Sequence, residues 1–98
     1  MFKVNGKVLK KIVNLVIDNN TLYNAFGAMS ESFQNSWKEL RTYLECLQDL
    51  GIITEDEWLN IALLQYKELN EKDIELNVTE IMVNTNNAID DFDLIEQF

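Results

Sequence analysis

The chain has 98 residues, 47% of them hydrophobic, and seventeen acids against eight bases leave a formal charge of −9. It holds no histidine, no proline and one cysteine, Cys46. These counts remove the usual general base, the commonest metal ligand, any internal disulfide and any thiolate zinc cluster. The acidity disfavours direct contact with nucleic acid or with an anionic membrane.

One domain with one modest core is expected over residues 1–98. No apolar run approaches the roughly 18–20 residues that span a bilayer. The start, residues 1–7, is charged but lacks the apolar stretch and cleavage site of a secretory leader. A cytoplasmic protein with a free thiol is the economical expectation. Twelve asparagines and seven lysines stand against one arginine, Arg41, a bias that accompanies AT-rich coding in some bacteria and their phages.

Val4-Asn5-Gly6-Lys7 suits a type I′ hairpin turn, but from Lys7 a helical period takes over. Leu9, Ile12, Val13 and Val16 line one side, and Lys7, Lys11, Asn14 and Asp18 the other. The spacing predicts a helix over 7–18, stopped by Asp18-Asn19-Asn20. A short second helix over 21–29 follows from Leu22, Ala25, Phe26 and Met29.

Phe33, Trp37, Leu40, Leu44 and Leu47 step by four and three residues and predict a third helix over 31–50. Gly51 stands where a left-handed C′ residue is wanted, with Ile52 folding back on the last turn. Thr54-Glu55-Asp56-Glu57 then reads as a capping box, and Ile53 with Trp58 as its hydrophobic staple. Residues 31–50 and 55–70 thus form an αα-hairpin. Its second helix is apolar around more than half its circumference, so either it is central to the bundle or it lends a side to a partner.

Residues 73–83 read two ways. Ile74, Leu76 and Val78 alternate as in a strand, whereas Val78, Ile81 and Met82 fit a helix capped by Asn77 or Thr79. The fold class is therefore mainly α, a bundle of four to five helices around a central αα-hairpin. A minor β-pairing of residues 2–9 with 74–79 is the alternative for those segments. Residues 84–87 read as a loop and 84–98 as a semi-independent acidic segment.

No motif carries chemistry. Cys46 lacks a base to activate it, and no phosphate loop or nucleophile elbow occurs. The acid runs at 55–57 and 90–93 match no calcium loop. Catalytic, cofactor and metal residues are expected to be absent. A DNA-reading helix-turn-helix would put Glu55, Asp56 and Glu57 against phosphate, which repels them.

Charge segregation is the remaining signal. Residues 1–20 carry +3, residues 21–98 carry −12, and seven acids lie beyond the last base, Lys72. Such an array suits a basic partner surface. The expected function is non-enzymatic protein binding: an acidic inhibitor of a nucleic-acid-handling protein, a nucleic-acid mimic of the kind phages and mobile elements encode, anti-CRISPR proteins included. This is an analogy of size, charge and composition. Its expected place is the host cytoplasm, as monomer or homodimer, with no direct nucleic acid or membrane contact. The partner-binding residues expected are Asp90, Asp91, Phe92, Asp93, Ile95, Glu96 and Phe98, where charge and apolar anchors coincide. The rival is an immunity, antitoxin or adaptor protein that binds through the apolar face of residues 58–69.

Overall fold

The computed structural model describes residues 6–83, and these form four helices: α1 (Gly6–Phe26), α2 (Glu31–Asp49), α3 (Glu55–Leu63, followed by a 3₁₀ turn, Leu64–Tyr66) and α4 (Glu71–Val83). Helix α1 packs on α2 and α4, and α3 on the same two. The result is an up-down-up-down bundle. Among the described residues there is no strand.

Helix α1 is one 21-residue rod, not the two expected helices broken at Asp18-Asn19-Asn20. Asparagine weakens a helix when its side chain competes for the local backbone. Here the two asparagines point inward and bind other elements. The Asn19 amide donates to the Leu15 carbonyl at 2.8 Å and to the Ser36 carbonyl and hydroxyl at 3.2 and 3.1 Å. The Asn20 amide donates to the carbonyls of Leu64, Gln65 and Lys67. The rod ends instead at Gly27, whose φ of +83° supplies the left-handed stop.

The second and third helices follow the predicted punctuation closely. The Ser30 hydroxyl caps α2 by accepting from the Phe33 amide at 3.1 Å. At the other end Gly51 (φ +77°) donates to the Gln48 carbonyl and Ile52 to the Leu47 carbonyl, a Schellman closure. The capping box is present: the Glu57 amide donates to the Thr54 hydroxyl at 3.2 Å and the Thr54 amide to the Glu57 carboxylate at 2.7 Å. Thr54→Ala removes this cap and is expected to cost about 1 kcal/mol in a denaturant melt.

Two expectations need correction. The helix predicted over 55–70 ends at Leu63, because Asn20 takes the carbonyls that a further turn would have used. The strand reading of 74–79 also fails. Asn70 caps α4 by accepting from the Asp73 amide at 2.8 Å, and Ile74, Val78 and Met82 recur every fourth residue in the core. Leu76, the middle residue of the apparent alternation, faces solvent. On the partner side of that pairing, residues 6–9 belong to α1, and residues 2–5 lie outside the described residues.

Core residues come from every helix: Ile12 and Val16 of α1, Leu40, Leu44 and Leu47 of α2, Ile61 of α3 and Val78 of α4. Helix α1 has the largest buried share, including two asparagines. It is α1, not the helix after Thr54, that serves as the central element.

Candidate protein-binding surface

Register follows from cross-helix contacts. Lys11 sits 4.7 Å over the Tyr43 ring, Asn19 reaches Ser36, and the Tyr23 and Phe33 rings lie 5.6 Å apart. Helices α1 and α2 are therefore antiparallel, and the first turn of α1 lies beside the last turns of α2. Asn20 meets Lys67 just before α4 begins, and Asn77 to Ile81 of α4 flank Asn60 to Leu64 of α3. Helix α4 thus returns toward the start of α1. One end of the bundle gathers the start of α1, the α2–α3 corner and the end of α4.

At that end the α2–α3 corner carries carboxylates, and the start of α1 carries Lys7, Lys10 and Lys11. Glu45, Asp49, Glu55 and Asp56 are exposed around the α2–α3 corner, and Glu57 is half-buried in its cap. On α4 only Glu80, also exposed, lies toward that end, because Glu71, Asp73 and Glu75 stand in the first turns of α4 at the opposite end of the bundle. Each described acid keeps access to water, as an unpaired carboxylate must. Arg41 and Glu45 approach to 4.0 Å on α2, an exposed pair worth only a few tenths of a kcal/mol. Glu45 and Asp49, like Glu71 and Glu75, sit one helical turn apart, a rise of about 6 Å. These are rows of charge on rigid helices.

The chain leaves the described residues at the same end. The expected partner-binding residues Asp90, Asp91, Phe92, Asp93, Ile95, Glu96 and Phe98 all lie outside the described residues.

A second surface is apolar. Leu59 is 50% exposed and Leu63 46%, and Tyr66 follows at 44%. Leu59, Leu63 and Tyr66 recur at four- and three-residue steps, so they share one side of α3 and its 3₁₀ turn. Helix α3 buries Ile61 and Ala62 and half-buries Trp58. The broad apolar circumference seen in the sequence is thus only partly used inside. The Tyr23, Phe33 and Tyr66 rings form a mutually packed trio, at 5.1 to 6.1 Å between centroids. Sequence periodicity did not reveal this trio, because its members come from three elements.

The remaining chemistry is sparse. Cys46 is a free, exposed thiol on α2. Burial, with the nearby Cys46 adding to it, raises the Tyr43 hydroxyl above its ordinary range. No group of three or more metal-ligating side chains occurs among the described residues. No described helix is long and apolar enough to cross a membrane. Gln65 is fully buried, and its amide meets no hydrogen-bond partner among the described residues. No family model, no curated protein and no solved structure matches this chain.

Proposed function

We propose that the chain is a non-enzymatic, acidic protein-binding module that occupies a basic, nucleic-acid-handling surface of its partner. The observation that carries this reading is the set of exposed carboxylates, Glu45, Asp49, Glu55 and Asp56, around the α2–α3 corner of the bundle. To these corner acids the sequence adds Asp90, Asp91, Asp93 and Glu96. Rows of carboxylate about 6 Å apart on helices offer a basic groove an anionic ridge that carries no base to read. An inhibitor of a phage or mobile-element kind is the role that such a ridge serves best. Cytoplasmic action alongside that partner is part of the same proposal.

The test is displacement. The chain, immobilised, is exposed to a bacterial lysate, and the retained protein is challenged with duplex DNA and with salt. A mimic releases its partner to duplex DNA, and its affinity falls at least tenfold between about 50 and 200 mM salt. Changing Asp90, Asp91 and Asp93 to Lys should weaken capture at low salt while leaving the fold intact. If neither DNA nor salt releases the partner and the triple variant binds normally, the proposal fails.

The exposed side of Leu59, Leu63 and Tyr66 favours a second reading, an immunity, antitoxin or adaptor protein with an apolar interface. In that case Leu59→Ser with Leu63→Ser abolishes capture, and salt has little influence. Sedimentation would also separate the two readings, since an apolar side of this kind supports a symmetric dimer.

A further inference from the structure

Helix α2 and the 3₁₀ turn after α3 border an open groove of about 460 Å³ toward the α1–α2 corner. Aromatic rings make its apolar part: Phe33 is buried, Trp37 half-buried and Tyr66 exposed. Beside them Gln34, Lys38 and Arg41 of α2 step by four and three residues and so share one row along the helix. All three are exposed hydrogen-bond donors. Lys38 and Arg41 are the charged residues of the lining, and no described acid joins them there, in a chain whose net charge is −9.

We propose that this groove binds a short acidic segment of a partner protein, one that sets an apolar side chain between two carboxylates. Charge selects the sign of the occupant, because both charged residues of the lining are cations. The Nε of Arg41 approaches Glu45 at 4.0 Å, an exposed and weak pair. The guanidinium gains by exchanging that contact for a bidentate grip on an incoming carboxylate. Lys38, one turn away, takes the second carboxylate as a point charge. The rings of Trp37 and Tyr66 select the apolar side chain, since tryptophan and tyrosine are the commonest anchors of protein interfaces. Length is set by acids at either end. Glu31 and Glu45 are exposed and continue the same row, one turn before Gln34 and one turn after Arg41. Between them, Gln34 to Arg41 rises about 10 Å, the reach of about three extended residues. A nucleic-acid strand carries a phosphate at every nucleotide and would run on past both glutamates, which repel it.

Capture of an acidic motif by clustered cations is an established recognition mode. The inference goes beyond the mimicry reading. It concerns a cationic, aromatic groove and not the carboxylates of the α2–α3 corner, so the two fail separately.

Titration of the full chain, followed by nuclear magnetic resonance, tests it. The probe is a pool of capped pentapeptides with Asp or Glu at the second and fourth positions and Leu, Ile, Phe or Trp at the third. The ends are Gly or Ser, and a control pool carries Asn or Gln in place of the acids. Shifts are expected at the Trp37 indole, the Arg41 side chain and the Tyr66 amide, with the acidic pool at least about tenfold tighter than the control. Lys38→Gln with Arg41→Gln should remove that preference and leave the far-ultraviolet spectrum unchanged, because both side chains are exposed. Tyr66→Ala should weaken the acidic pool about threefold or more. No shift with the acidic pool at about 1 mM overturns the proposal. Equal binding of the two pools, or undiminished preference in the double variant, overturns it too. If oligothymidine shifts the same residues at lower concentration than the acidic pool, the occupant is nucleic acid and the proposal falls. If the shifts appear on concentrating the chain alone, a second copy fills the groove and the proposal falls as well.

Discussion

Replacing Asn20 by aspartate is expected to lower stability by about 3–5 kcal/mol at neutral pH, the range for an uncompensated buried charge. Asn20 is 4% exposed, and its amide nitrogen faces the carbonyls of Leu64, Gln65 and Lys67. These carbonyls end the 3₁₀ turn after α3, so this one side chain closes a helix terminus to which it is not adjacent in sequence. Aspartate keeps the size, removes the donor and aims a negative oxygen at three others. Burial and those oxygens raise the folded-state pKa of the new carboxyl above its unfolded value of about 3.9. The folded variant then binds more protons than the unfolded chain, so its stability falls as pH rises through that window. Denaturant midpoints of variant and wild type should therefore lie closer together at about pH 4 than at pH 7. A gap that does not change with pH would mean that the lost hydrogen bonds, not the charge, carry the effect.

Trp58→Ala is expected to cost about 3–5 kcal/mol. Trp58 packs against the core at the start of α3, and its ring stands edge-on to Trp37 at 5.9 Å between centroids. Such an aromatic pair adds about 0.5–1.5 kcal/mol to the apolar area it buries. Ile53, immediately before the cap, is buried at 3% exposure, as the staple requires. Tryptophan fluorescence and a urea titration check the result together, because Trp37 remains as the reporter. A loss below about 0.5 kcal/mol would make Trp58 an exposed anchor and move the favoured interface toward Leu59 and Leu63.

Between these two residues lies the difference between what was legible in the sequence and what was not. The helix start at which Trp58 stands was legible because its cap is local. The cap, the Gly51 stop and the α2 seam all act within a few residues of one another, so spacing alone reveals them. Asn20 was read as a helix stop because asparagine is ambiguous in isolation: its amide can satisfy its own backbone or another element's. Only the return of the chain at Leu64–Lys67 decides between the two. The same holds for Ile74, Leu76 and Val78, whose alternation suits a strand until a neighbouring helix offers Val78 and Met82 a place to be buried.

The functional reading divides along the same line. Composition alone removed histidine chemistry, disulfides and thiolate clusters, since a residue type that is missing from the chain cannot be supplied by folding. It also showed the charge imbalance between the first twenty residues and the rest. What only the tertiary structure decided is placement. Antiparallel packing brings the start of α1 to the end of the bundle that holds the α2–α3 corner, so Lys11, far off in sequence, lies against Tyr43 of α2. It also left Leu59 and Leu63 exposed, because α1 and not α3 took the central position. Period and propensity describe one helix at a time, whereas burial depends on which helices meet.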